Sequence, residues 1–222
     1  MKAFYITLAV LFSLISCNSK STQVLLDDDL ELNRNQTVSL LIIEAEPLFN
    51  KFPNYTFGAL RPTEQKIFNS DLARIVSEQT QSPFIGKKNL ERMDTESFEI
   101  KNFETKSVSF EMISPKSGTM VNDENIESRF TLILDQFYFT PYEVQTGGGS
   151  YAGHEGEPQT RIAFETTYLI WDNEQKKEVA YGKVNSSHIL YQDDIEKSYR
   201  EALASAFQKI IDVSPLIKNE NV

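Results

Sequence analysis

The chain is poor in the residues that most often carry chemistry. Its 222 residues hold one cysteine, two histidines and one tryptophan. A lone cysteine excludes an internal disulfide, so the core alone must stabilise the fold. Two histidines and at most one thiol leave too few ligands for a transition-metal site made by the protein. Cations are also scarce, with 22 Lys and Arg against 32 Asp and Glu and a net charge of −10. That balance argues against non-specific nucleic-acid binding and against adhesion to anionic lipid head groups, and it keeps the protein soluble. No apolar run reaches the roughly 20 residues that a membrane-spanning helix needs.

The one cysteine has a particular setting. Lys2 supplies a positive start, Ala3 to Ile15 an apolar run, and Ser16 a small residue before Cys17. This is the layout of a secretory signal, and Leu14-Ile15-Ser16-Cys17 resembles a bacterial lipobox. Three readings compete: a lipoprotein signal with Cys17 as the new first residue, an ordinary cleaved signal ending near a cysteine, or an uncleaved anchor. The first explains both the position and the residue type. It implies a diacylglyceryl (palmitate-type) group on the sulfur, which turns Cys17 into an attachment atom and removes it from thiol chemistry. Two or more acyl chains hold a protein stably where one chain, at about 0.8 kcal/mol per buried methylene, holds it marginally. Removing residues 1–16 from 222 leaves 206 and takes away one lysine, so the charge moves from −10 to −11.

Residues 17–37 read as a lipid-anchored polar linker, with Asp27-Asp28-Asp29 as a solvated run. Val24-Leu25-Leu26 is the one part of it with an apolar reason to dock on the domain. An EF-hand loop from Asp29 fails, because Arg34 and Leu40 occupy the positions that need glycine and glutamate. Residues 38–217 read as one domain and 218–222 as a tail. Val38 to Glu46 is short, apolar and β-branched, which predicts a buried strand ended by Pro47. Residues 47–60, with Phe49, Phe52, Tyr55 and Phe57, predict a loop pinned by its rings, or else an aromatic contact surface.

Pro62 opens a predicted helix to Gln79, with Phe68, Leu72, Ile75 and Val76 on one face. Pro83 and Gly86 close that unit. Residues 87–106 are ambiguous, with a short strand over Ser97–Phe103 as one option. Val108, Phe110 and Met112 alternate and predict a strand ended by Pro115, followed by a polar loop from Lys116 to Ser128. Three longer strands follow over Arg129–Thr140, Thr160–Trp171 and Glu178–Leu190. In the first, Phe130, Leu132, Leu134 and Tyr138 share one face, and Ile133, Phe137 and Phe139 the other. The last two form a hairpin about the polar turn Asp172–Lys177. Asp193 and Glu196 fit a capping box for a final helix. Its stripe is Tyr199, Leu203, Ala206 and Ile210, widened by Ile195, Ala202 and Phe207, and Ser214-Pro215 ends it. The pattern predicts an α+β (or α/β) fold, with a mostly antiparallel sheet covered by two amphipathic helices as a two-layer sandwich.

Five of the nine glycines lie between Gly147 and Gly156. A phosphate-binding loop would need lysine and a hydroxyl after its last glycine, opening a helix, whereas this stretch carries glutamates and sits between strands. Ser150 is near a nucleophile-elbow spacing, and a triad with Asp172 and His188 can be written. The elbow needs a helix after it, and here a strand follows. His154, Glu155 and Glu157 lack the second histidine of a zinc helix, and Pro158 breaks any helix there. His188 falls on a strand, at an edge or satisfied within the fold. No catalytic residue, metal or cofactor is assigned. The stretch Gly147, Gly148, Gly149, Ser150 and Tyr151 reads as a mobile hairpin tip that contacts a partner.

The run Tyr168-Leu169-Ile170-Trp171-Asp172, then Glu178-Val179-Ala180-Tyr181-Gly182, then Tyr199-Arg200-Glu201-Ala202-Leu203-Ala204-Ser205-Ala206-Phe207, resembles a recurring envelope pattern. It is similar to the small α/β domain of the curli-secretion lipoprotein, the TolB amino-terminal domain and auxiliary lipoproteins of envelope transporters. The resemblance covers most of the mature chain as a pattern, and residues 47–60 and the glycine tip depart from it. It implies a non-enzymatic accessory role through contact with an envelope protein, without nucleic acid. No added segment would build a secretion pore. Asn18 after Cys17 differs from the aspartate of inner-membrane retention in enteric-type sorting, which favours the outer membrane facing the periplasm. A surface-exposed ligand binder and a lipid-anchored hydrolase are the alternatives.

Overall fold

A computed structural model describes residues 22–26, 36–43, 48, 50–55, 60–123, 125–147, 156–216 and 219. Its centre is a six-stranded sheet in the order β1-β8-β7-β6-β2-β3. The strands are β1 (Thr22–Leu25), β2 (Val38–Ile42), β3 (Phe84–Lys88), β6 (Phe130–Thr146), β7 (Glu157–Asp172) and β8 (Lys177–Ile189). β6, β7, β8 and β1 run antiparallel to one another in turn, and β2 lies parallel to both β6 and β3. A second sheet is the hairpin of β4 (Phe98–Glu104) and β5 (Ser109–Pro115). The helices are α1 (Pro62–Gln79) and α2 (Ile195–Asp212).

β2 is buried at all five positions, as its apolar run requires of a strand with neighbours on both edges and cover on both faces. α1 carries the chain from β2 back to the parallel strand β3, and it begins at the predicted proline. Its Ile67, Phe68, Leu72, Ile75 and Val76 pack with α2's Leu203, Ala206, Phe207 and Ile210 onto Leu132, Leu134, Phe164, Tyr168 and Ile170 of the sheet. Glu64 of α1 is buried and accepts the Tyr199 hydroxyl of α2 at 3.1 Å, tying the helices together. The α2 cap is Asp194, whose carboxylate accepts the Lys197 N–H at 3.0 Å. The predicted cap at Asp193 is thus one residue early. Ile195 turns out to solvent at 45 % exposure instead of widening the stripe.

The opposite face carries a core of its own. Leu41, Ile133, Leu169 and Trp171 pack there against Phe98, Phe103, Met112 and Ile113 of the hairpin. Helices therefore cover one face and the β4–β5 hairpin covers the inner part of the other. The coarse expectation of a mostly stranded α+β fold with two helices holds, and the hairpin adds to the helix-on-sheet layering.

Three features depart from the expected pattern. Thr22–Leu25 pairs with Lys183–Ala180 on β8, so the apolar reason for Val24 and Leu25 to dock is realised within the expected linker. β3 runs through Gly86, which has φ +139° and sits beside a register shift in its pairing with β2. A glycine at such an irregularity reads in the sequence as a chain breaker. The third is a bulge in β6 between Asp135 and Tyr138, with Gln136 at φ 48°. One inserted residue exchanges the faces of everything after it. Phe137 and Phe139 consequently join Leu134 on the helix side, where Phe137 stacks on Phe68 at 4.6 Å. Tyr138 goes to the other side, the reverse of the strict alternation read from the sequence.

β2 pairs with β6 only as far as Leu134. From the bulge outward, no described strand pairs with that edge of β6. Pro141 sits on this stretch, opposite Ile162 of β7. Leu190 donates its N–H to the Thr160 carbonyl on the β8 side. By the two-residue alternation Ile162 also faces β8, and Pro141 turns its nitrogen, which has no hydrogen, toward the open edge.

Candidate functional site

The outer ends of β6 and β7 form a two-stranded ribbon. β8 stops at Ile189, opposite Arg161, while β7 starts four residues earlier at Glu157. Thr146 closes the described end by donating its hydroxyl to the Glu157 carbonyl at 3.1 Å. Gly147, the first residue of the expected contact tip, is exposed, and its φ of +81° is one that few other residues adopt. Gly148, Gly149, Ser150 and Tyr151 lie outside the described residues, as do Cys17, His154 and Glu155. Tyr138 and Tyr142 stand four residues apart on the face left bare by the hairpin, 37 % and 36 % exposed. Tyr138 donates to Glu165, and that bond, with some burial, pushes its phenol up to about 12.

The structure separates the other two members of the written triad. His188 pairs with Ile162, and Asp172 ends the same strand β7 ten residues on. At about 3.3 Å per residue the two are roughly 33 Å apart. Asp172 is buried and holds Arg129 through two bonds of 3.0 and 2.8 Å, while His188 lies against the Glu201 carboxylate. Among the described residues there is no group of three or more His, Cys, Asp or Glu able to hold a metal ion.

The bulge creates a buried carboxylate that the sequence does not announce. Asp135 accepts the Tyr55 hydroxyl, the Ile113 N–H at 2.9 Å and the Gln136 N–H at 2.8 Å. Its carbonyl accepts the hydroxyls of Thr166 and Thr167 at 3.1 and 2.8 Å. Gln136 reaches from the bulge to the Tyr55 oxygen at 2.6 Å and to the Glu111 carbonyl. The knot joins the aromatic loop, the hairpin and the central sheet. Burial raises the Asp135 carboxyl to about 6 against the opposing pull of its hydrogen bonds. Burial first, and the carboxylate second, push the Tyr55 phenol up, so it stays a donor.

A raised carboxyl pKa has a definite sign in stability. The contribution is fully present below the unfolded value near 3.8 and is lost as pH rises through about 6. Wild type is therefore expected to gain on the order of 1 kcal/mol relative to Asp135→Asn on going from pH 7 to pH 5. Urea unfolding of both proteins at the two pH values measures this, and other titrating groups cancel in the comparison. An equal pH response in the two proteins would contradict the assignment.

A second buried polar group lies on the same face. Lys88 is 1 % exposed and donates to the Val121 carbonyl, to Asn122 Oδ1 at 3.1 Å and to Thr131 Oγ1 at 3.0 Å. Asn173 donates to the Ser128 carbonyl and to Thr131 Oγ1, at 2.8 and 2.9 Å, and accepts the Val121 N–H at 2.8 Å. Burial lowers the Lys88 ammonium to about 8, partly opposed by Asp123 and Glu127. A cleft of about 510 Å³ opens beside this network, lined by Thr37, Asn122, Glu127, Ser128, Arg129 and Asn173 among others. All three Lys88 donors are engaged, and Arg129 is engaged by Asp172. The network pins the loop from Lys116 to Ser128 onto the sheet, and the Ser128 hydroxyl beside the cleft is hydrogen-bonded to that of Ser39 at 2.7 Å. Neither Lys88 nor Asp135 was marked by its sequence context. Lys88 follows another lysine in β3 and Asp135 precedes Gln136 in β6, and only the partners brought by the fold distinguish them.

No protein-family model matches the chain, and no curated protein matches it. A solved structure described as the PelC dodecamer from Paraburkholderia phytofirmans is similar to it at 10 % identity. The match covers 90 % of this chain and 100 % of that one, with a TM-score of 0.40.

Proposed function

We propose that the protein is a lipoprotein of the bacterial cell envelope, attached through Cys17 and facing the periplasm from the outer membrane. On this reading it binds or assembles with an envelope partner, as in the accessory lipoproteins that its strand-turn-strand-helix pattern resembles. The helix-on-sheet body is the scaffold, and the β6–β7 ribbon is the part held out for contact. The observation that carries the reading is that ribbon, which runs past β8 and exposes Tyr142 near its end. The most chemically suggestive polar groups, Lys88, Asp135, Asp172 and Arg129, are engaged within the fold, which supports binding over turnover.

Cys17→Ser is expected to abolish incorporation of radiolabelled palmitate and to move the protein from the membrane fraction to the soluble fraction. Retention of both label and membrane attachment would overturn the lipid reading. Protease treatment of intact cells should leave the domain uncut, and cleavage would assign it to the cell surface as a ligand binder. Turnover of any member of a hydrolase-substrate panel that disappears in Ser150→Ala would replace the binding role with catalysis.

A further inference from the structure

The pairing of β1 with β8 shortens the distance between the domain and its lipid. Cys17 and Thr22 are five residues apart, and five extended residues span at most about 18 Å. Thr22 pairs with Lys183, which pairs with Thr167 of β7. From Thr167 out to Glu157 β7 runs ten further residues, about 33 Å, the last four of them past β8 as the ribbon. The ribbon end thus lies nearly twice as far from that level as the tether can reach.

The other directions are closed to so short a chain. Toward the far end, β7 continues five residues to Asp172, about 17 Å, with the turn Asn173–Lys176 beyond it. On the helix side, α2 packs against β8, and the Gln23 side-chain amide of β1 donates to the Lys209 backbone carbonyl of α2 at 2.8 Å. That layer alone is about 10–12 Å thick. The β1 edge, the ribbon end and the bare outer part of the hairpin-side face need no crossing of another layer.

We infer that the bilayer carrying Cys17 lies along the β1 edge, with the outer end of the β6–β7 ribbon resting in its head-group layer. This rests on the lipid reading above and names the first surface the ribbon meets. The side chains suit that place. Tyr142, opposite Arg161 where β8 stops, is exposed on the bare face, and tyrosine favours the membrane interface. Pro141, Val144 and Pro158 add apolar surface. Glu143 and Glu157 against Arg161 leave the end mildly acidic, which fits zwitterionic head groups and disfavours anionic ones.

The test uses the full-length lipidated protein, in which the native thiol is consumed. Thr146→Cys places a fluorophore on the exposed ribbon end, and Lys87→Cys places one on the exposed far edge at β3. In phosphatidylethanolamine/phosphatidylcholine vesicles containing brominated lipid, quenching at 146 is expected to exceed that at 87 at least about two-fold. A flexible Gly/Ser spacer of about 20 residues before Thr22 should abolish the difference by freeing the domain. Equal quenching at both sites in vesicle-bound protein, or a difference unchanged by the spacer, would overturn the inference. Mass spectrometry showing Cys17 unacylated, with protein that does not float with the vesicles, would instead sink the lipid reading.

Discussion

Trp171→Ala is expected to cost about 3–5 kcal/mol of folding stability. The indole is fully buried on the hairpin side of the sheet, among Leu41, Ile133, Leu169 and Met112. Its Nε1–H donates to the Thr119 carbonyl at 3.0 Å and so fastens the loop after β5. Truncation removes the largest side chain of this second core and leaves a cavity that β-strand backbones on one side cannot close. Against a typical total of about 5–15 kcal/mol, such a loss takes much of what holds the domain. Trp171→Phe keeps much of the volume and loses the hydrogen bond, so a smaller loss of about 1–2 kcal/mol follows. Urea unfolding followed by far-UV circular dichroism reads both, since the chain's only tryptophan is the residue removed. A loss under about 1 kcal/mol for the alanine variant would mean that the hairpin is not part of the cooperative fold.

Gly182→Ala should detach β1. A Cβ at this position would stand 2.5 Å from the Thr22 carbonyl oxygen, 2.9 Å from the Gln23 Cα and 3.0 Å from a Tyr168 ring carbon. Two of these are backbone atoms of β1 itself, so no rotamer change relieves them. The inner strands hold their own ladders and keep their places, and the short edge strand gives way. Amide exchange at Thr22 to Leu25 is expected to accelerate at least about ten-fold, while amides of β6 and β7 stay slow. The global cost is expected to be about 1–3 kcal/mol. Continued protection of β1 in the variant would show that the strand is not seated as described. Detachment also moves the first fixed strand after Cys17 from Thr22 to Val38. The same variant should therefore weaken the ribbon–bilayer contact inferred above for the lipidated protein.

Much of the architecture was legible because its signals are local. α1 begins and ends where Pro62 and Gln79 say, and the β7–β8 hairpin turns where the polar run lies. β4 and β5 also fall within a residue or two of the expected segments. What escaped depends on partners distant in sequence. β1 is four residues in a polar stretch, and only the edge of β8 makes it a strand. The exchange of Phe137 and Tyr138 between faces comes from one inserted residue, which no alternation pattern reveals. Asp135 is buried because Tyr55, 80 residues earlier, and Ile113 arrive to bond it. Within the candidate contact site the projection of the ribbon was legible as a hairpin with a glycine tip. Its reach was not, because that depends on where the neighbouring strands stop.

Pro141 gains a meaning from crowding. On the proposed lipid attachment the protein shares a plane with its copies, where neighbours meet at high effective concentration and with few relative orientations. An unpaired strand edge in that setting invites another chain to add a strand, and then another. Along the open side of β6, the proline offers a ring where an incoming strand would need an N–H. One residue in the exposed stretch thereby lets a long ribbon be displayed densely without the molecules zipping into a continuous sheet.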